Sequence, residues 1–171
     1  MEKFGIGQSV TRVEDQRFTR GAGTYIEDVC LDDETVGVFV RSPHAHARIV
    51  EIDRDLVTGL PGILAVYTGE DLRADNIGDV PCGADVNNID GTPCVKPARP
   101  ALAINRVRHV GDAVALIVAE TKQQALDAAD QLWIDYELLD ATVETENSLS
   151  AEAPQIWDEA KNNQCFHWES G

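Results

Sequence analysis

Apolar residues in this chain fall in a few short runs separated by stretches carrying proline, glycine and charge, and the period of each run assigns an element. Val36-Gly37-Val38-Phe39-Val40-Arg41 and Ala47-Arg48-Ile49-Val50-Glu51-Ile52-Asp53 have the composition of strands. Ser42-Pro43-His44-Ala45-His46 separates them, and Pro43 has no amide hydrogen to give a sheet ladder, so an irregular corner is expected there. Leu60-Pro61-Gly62 predicts a turn into the short strand Ile63-Leu64-Ala65-Val66-Tyr67. Thr68-Gly69-Glu70-Asp71 follows, where the Thr68 hydroxyl can cap a short helix.

Farther along, Ala113-Val114-Ala115-Leu116-Ile117-Val118-Ala119 is continuously apolar, as in a strand covered on both faces. Thr121 and Gln124 form a capping box in which each side chain can satisfy the other residue's free amide. Ala125, Leu126, Ala129, Leu132 and Trp133 then recur at helical spacing as the expected buried face, leaving Gln123, Asp127 and Asp130 in water. Ile134-Asp135-Tyr136-Glu137-Leu138 alternates as a half-buried strand. Strand, helix, strand at these lengths predicts a βαβ crossover with parallel strands, and therefore an α/β fold with a mixed sheet.

Two stretches break this pattern. Between Asp75 and Pro100 lie four of the seven prolines, which predicts a long surface loop, and loops of that length are functional or ordered by a neighbour. From Tyr136 to Gly171 there are eight acids and one base; Ala153-Pro154 and Lys161-Asn162-Asn163 read as linker and Gln164-Cys165-Phe166-His167-Trp168 as one more short strand. The expected organisation is an extended segment over 1–34, an α/β domain over 35–140 with the loop at 75–100, and an acidic linker over 141–171. Over 171 residues one full core is expected, burying about 70% of the unfolded surface.

Charge narrows the function. With 14 Lys+Arg against 30 Asp+Glu the chain carries −16 at neutral pH, which excludes nucleic acid and anionic membranes as expected partners. No apolar run approaches the ~20 residues that span a bilayer. Met1-Glu2-Lys3-Phe4-Gly5 lacks the regions of a signal peptide, so a cytoplasmic location is expected. Cys30, Cys82, Cys94 and Cys165 match no zinc or redox spacing and are expected as thiols, with a Cys82–Cys94 disulfide the alternative.

The search for chemistry is short. His44-Ala45-His46 would put two imidazoles on one side of an extended segment, but two ligands are too few and Arg41 and Arg48 disfavour a cation. Asp85 to Lys96 fails as a calcium loop, since its glycine stands at the seventh position and Lys96 replaces the twelfth-position acid. Gly5-Ile6-Gly7 and Gly21-Ala22-Gly23 suit tight turns better than a dinucleotide fingerprint. There is no G-x-S-x-G elbow, and Cys165 near His167 makes a poor nucleophile pair. No catalytic, cofactor-binding or metal-binding residue emerges from the residues themselves.

A resemblance supplies what the residues do not. Arg12 to Tyr25 (RVEDQRFTRGAGTY), Val40 to Ile49 (VRSPHAHARI), Leu60 to Leu72 (LPGILAVYTGEDL), Val107 to Ala115 (VRHVGDAVA) and Ala153 to Glu159 (APQIWDE) resemble, in this order, the N-terminal part of the large subunit of molybdenum hydroxylases. That is the xanthine dehydrogenase, aldehyde oxidase and carbon monoxide dehydrogenase family. The resemblance implies an α/β-hammerhead domain that precedes the molybdopterin-binding domain. It also implies an oxidoreductase whose molybdopterin, [2Fe–2S] clusters and FAD sit on other domains or subunits, so that this chain alone is inactive. Met1 lies only eleven residues before Arg12, which implies the bacterial arrangement of separate iron–sulfur and FAD subunits. The family often carries Gly-Glu-Pro where this chain has Gly111-Asp112-Ala113, and Pro-Gly where it has Lys161-Asn162-Asn163.

Three functional readings follow. The first is a non-catalytic domain that supports the molybdenum domain and docks the iron–sulfur subunit through Arg41, His44, His46 and Arg48, a basic corner in an acidic chain. The second is a metal-dependent enzyme using His44, His46 and His109. The third is an acidic module whose 75–100 loop holds a small ligand.

Overall fold

A computed structural model describes residues 11–169, and the chain divides into two compact units, Met1–Glu34 and Thr35–Gly171. In the first, the segment expected to be extended carries a one-turn helix, α1 (Asp15–Phe18), and a 3₁₀ turn over Ile26–Asp28. Phe18 and Tyr25 stack with ring centroids 6.3 Å apart, and the Tyr25 amide donates to the Asp28 carboxylate at 2.8 Å. Gly21 lies at φ 70°, so the turn expected at Gly21–Gly23 forms; the one expected at Gly5–Gly7 lies outside the described residues.

The second unit holds two three-stranded sheets. In the first, β5 (Ala113–Ala119) runs between β1 (Val36–Arg41) and β3 (Ile63–Thr68), antiparallel to both. In the second, β2 (Ala47–Asp53) runs between β4 (Arg106–Val107) and β6 (Trp133–Leu138), again antiparallel to both. The α/β class holds, with strand, helix and strand in the expected order. The parallel pairing and the single mixed sheet do not, because β5 and β6 belong to different sheets. Both edges of β5 are already occupied. The ten-residue helix α4 (Lys122–Gln131) spans only ~15 Å against ~23 Å for β5, and Leu132 alone separates it from β6, so it cannot carry the chain back to the start of a parallel neighbour.

The main core lies between the first sheet and α4, where Val66, Ala115, Ile117 and Ala119 meet Ala125, Ala128 and Leu132, with Val57 of α2 (Asp55–Thr58) beside them. A smaller cluster of Ala47, Ala103, Val107 and Val114 lies against the second sheet, and Ile52 and Ile134 pack on both. Ala125 and Leu132 are buried as expected, but the face is turned from the expectation at its edges: Ala128 is buried, while Leu126 and Trp133 remain 41% and 50% exposed. Small alanines let the helix backbone approach the sheet closely, and the larger Leu126 is turned outward. The opposite face of the first sheet is uncovered among the described residues, and there Phe39, Leu116 and Tyr67 stand side by side across the three strands.

Thr68 precedes α3 (Gly69–Ala74) and forms a capping box with Asp71, whose carboxylate accepts the Thr68 amide at 2.7 Å and the Thr68 hydroxyl at 2.8 Å. Arg54 Nη1 adds bonds of 2.9 and 2.8 Å to the two Asp71 oxygens. Burial by itself would raise the Asp71 pKa, but Arg54 and Thr68 together hold it below its ordinary value. Thr121 accepts the Gln124 amide at 3.3 Å and donates to the Gln124 side chain at 2.8 Å. That side chain lies over Gly62, at φ 78°, where a Cβ would collide with it.

The 75–100 loop has no helix or strand and contains an isolated bridge between Asn87 and Pro93. The run 164–168 is extended without forming the expected strand, and it orders this loop: Val95 and Ile89 amides donate to the Cys165 and His167 carbonyls at 2.8 and 3.0 Å. The four cysteines are free, so the Cys82–Cys94 alternative is not realised. Lys161-Asn162-Asn163 is a fixed turn, with Asn162 and Asn163 at φ 54° and 55°. Asn163 accepts the Ile156 amide at 2.9 Å and donates to the Ser148 and Pro154 carbonyls at 3.0 Å each. Asparagine tolerates the left-handed region better than other non-glycine residues, which is why it can stand where the family often has glycine.

Urea unfolding is expected to separate the two leucines of the helix: Leu132→Ala should cost about 2–5 kcal/mol and Leu126→Ala under about 1 kcal/mol, and equal costs would contradict the helix phase. A carboxylate with a lowered native pKa adds stability above its unfolded value near pH ~4, lost as pH falls through the native one. Asp71→Asn should therefore lower the unfolding midpoint at neutral pH, and the difference should vanish in strong acid.

Candidate functional site

The corner between β1 and β2 is built by main-chain bonds to the turn that precedes β5. Ser42 is buried; its amide donates to the Asp112 carbonyl and its carbonyl accepts the Gly111 amide, both at 2.8 Å. Ser42 Oγ accepts the His44 amide at 3.0 Å, which holds the chain through Pro43. Gly111 lies at φ 87°, a conformation that favours glycine, and Arg41 Nη1 donates to its carbonyl at 2.9 Å. The Asp112 carboxylate accepts the Arg108 amide at 3.0 Å. The second turn is thus fixed by its own side chain, and this turn contains the Gly111-Asp112-Ala113 departure from the family pattern.

Each corner residue has a different exposure. Arg41 lies 5.6 Å above the Phe39 ring, at the end of the uncovered sheet face. Arg48 pairs with Glu137 at 2.8 Å, both about half exposed. His44 packs edge-on against Tyr136, with centroids 4.9 Å apart. His46 is only 5% exposed; its Nδ1 donates to the Asp140 carbonyl at 2.7 Å, and its Nε2 is buried without a hydrogen-bond partner among the described residues. The Tyr136 hydroxyl is likewise buried, near the Ser42 side chain but outside hydrogen-bond geometry, and burial pushes its pKa up more than Ser42 lowers it. A partner meeting this corner would touch Arg41, His44 and Arg48, with His46 serving from inside.

His109 lies on the turn after β4, 3.6 Å from Asp112. Among the described residues no group of three His, Cys, Asp or Glu stands together as a metal cradle, so the His44, His46 and His109 donor set expected for a metal enzyme does not form.

The structure also gathers residues that the sequence reading passed over. Arg99, Arg106, Arg108 and His109 line a cleft of about 360 Å³ with Trp157 and Asp112. Arg108 lies 3.9 Å above the Trp157 ring, and its Nε donates to the Ile156 carbonyl at 3.1 Å. The available signal was Arg106-Val107-Arg108, two cations on one side of a strand whose other side is the fully buried Val107.

Comparison with known proteins places the fold. Residues 20–140 match the family described as "Aldehyde oxidase and xanthine dehydrogenase, a/b hammerhead domain". The carbon monoxide dehydrogenase large chain of Afipia carboxidovorans is 36% identical over 98% of this chain and 21% of its own length. The nicotine 6-hydroxylase large subunit of Paenarthrobacter nicotinovorans is 34% identical over 84% of this chain and 17% of its own. The crystal structure of quinoline 2-oxidoreductase from Pseudomonas putida superposes with a TM-score of 0.76 at 36% identity, over 89% of this chain and 19% of that one. The chain spans about a fifth of the length of these relatives.

The two kinds of corner residue should behave differently in thermal or urea unfolding. His46→Ala removes a buried donor and is expected to cost about 1–3 kcal/mol, while Arg48→Ala breaks an exposed ion pair and should cost about 0–1 kcal/mol. Equal losses would contradict the assignment of His46 to the interior.

Proposed function

Because the chain belongs to the aldehyde oxidase and xanthine dehydrogenase family and consists largely of its α/β hammerhead domain, we propose that it is a non-catalytic part of a molybdopterin-dependent hydroxylase or dehydrogenase large subunit. In this reading it supports the molybdenum-binding portion of that subunit and docks the iron–sulfur subunit, with an FAD subunit completing the assembly in the cytoplasm. Among the described residues no helix is long and apolar enough to cross a membrane.

The observation that carries the proposal is the continuity of the uncovered sheet face with the basic corner. Phe39, Leu116 and Tyr67 present apolar surface that α4 does not reach, and β1 leads from Phe39 directly to Arg41. A face of this kind marks an interaction surface, and its apolar centre with a charged rim has the anatomy of one. We assign the apolar face to the rest of the large subunit and the Arg41, His44 and Arg48 edge to the iron–sulfur subunit. Molybdopterin, the clusters and FAD are then held by those other parts, and no chemical step is routed through this chain.

Size-exclusion chromatography of the chain mixed with the remaining large-subunit domains and the iron–sulfur subunit tests this directly. Phe39→Asp should release the large-subunit domains, and Arg41→Glu with Arg48→Glu should weaken capture of the iron–sulfur subunit about tenfold or more. Unchanged assembly by both variants would overturn the reading.

A further inference from the structure

We propose that the cleft lined by Arg99, Arg106, Arg108 and Trp157 binds a small phosphate-bearing ligand. Its volume, about 360 Å³, lies at the lower end of the range for small-ligand sites. Three guanidiniums face one carboxylate in its lining, within a chain whose net charge is −16.

Three carboxylates act on Arg108 from nearby, those of Asp112, Asp158 and Glu159, yet neither Arg108 nor Arg99 makes an ion pair among the described residues. Asp112 is committed to the Arg108 amide at 3.0 Å and lies 3.6 Å from His109. Asp158 stands 3.6 Å from Arg106 with its side chain 78% exposed to water. Arg108 is held partly out of water against Trp157, and burial followed by repulsion from Arg106 lowers its pKa. Gathering partly desolvated cations is costly unless an anion joins them, and the planar guanidinium fork matches phosphate oxygens two at a time.

A neighbouring cleft of about 460 Å³ provides an internal contrast. It shares Arg106, Arg108 and Trp157, but its further charges, Arg73, Asp79 and Glu159, are of mixed sign. The first cleft has the larger cationic excess in its lining. Its wall is completed by Pro97, Arg99 and Pro100 from the end of the long loop, and that loop is held in place by the 164–168 segment through Val95 and Cys165. The length of this loop therefore has a use, to bring a third guanidinium to the two on β4 and just beyond it.

Trp157 reports on binding if it is the sole tryptophan, which Trp133→Phe and Trp168→Phe achieve at two exposed positions. This chain should be titrated at constant ionic strength with inorganic pyrophosphate, with AMP, and with succinate as a carboxylate of similar charge. The expected result is a saturable change in Trp157 emission with pyrophosphate or AMP, weakened about tenfold by Arg106→Gln and by Arg99→Gln, and unaffected by Arg73→Gln. Saturation by AMP alone would identify an organic phosphate as the ligand, and saturation by pyrophosphate the bare group. Absence of saturation with both, equal binding of succinate, or binding unchanged in both Arg106→Gln and Arg99→Gln would overturn the proposal. Arg99 is exposed, so its variant does not depend on the fold surviving loss of Arg106.

Discussion

Burial of β5 is the constraint on which the remaining structure depends. Seven consecutive apolar residues cannot be left in water, and their main-chain groups must be paired on both edges. β1 and β3 supply the edges and α4 covers one face, with Ala115, Ile117 and Ala119 fully buried beneath it. An isoleucine such as Ile117 contributes about 1.5–3 kcal/mol by leaving water. The other face receives no equivalent cover among the described residues, which leaves Phe39 and Tyr67 half exposed and gives the domain a surface suited to a larger assembly.

The corner follows from the same constraint. Once β1 is pinned along β5, the chain must leave the sheet at Ser42, and the carbonyl of Asp112 and the amide of Gly111 are there to meet it. β2 can then become the centre of a second sheet, and His46, at its start, is driven inside by the packing of Ala47 and the bond to Asp140. The charged residues at the corner are therefore well placed rather than loosely displayed: Arg41 and Arg48 each have a partner while keeping exposed surface.

Much of this was legible in the sequence where period and chain-breaking residues agree. The strands over Val36–Arg41 and Ala47–Asp53, the break at Pro43 and the Thr121 cap are local consequences of side-chain alternation, a missing amide and a short hydroxyl. Partner choice was not legible, because an apolar run reads alike whether its neighbours are parallel or antiparallel, so β5 and β6 were expected in one sheet. The helix face was legible at Ala125 and Leu132 but misplaced at Leu126 for a related reason: leucine outranks alanine in hydropathy, yet the close approach to the sheet selects Ala128. The corner was partly legible, since Arg41 and Arg48 stand out as a basic cluster in an acidic chain. The Arg99, Arg106 and Arg108 cleft was hidden because loop and strand contribute to it from separate parts of the chain.

The central claim is that this chain acts by being held against partners along one continuous surface. Hydrogen–deuterium exchange of the chain, alone and assembled with the remaining large-subunit domains and the iron–sulfur subunit, tests it most directly. The account predicts that amides over 39–48 gain protection on assembly while those of β5, already paired on both edges, change little. Unaltered exchange over 39–48, with new protection confined to surfaces elsewhere, would contradict it.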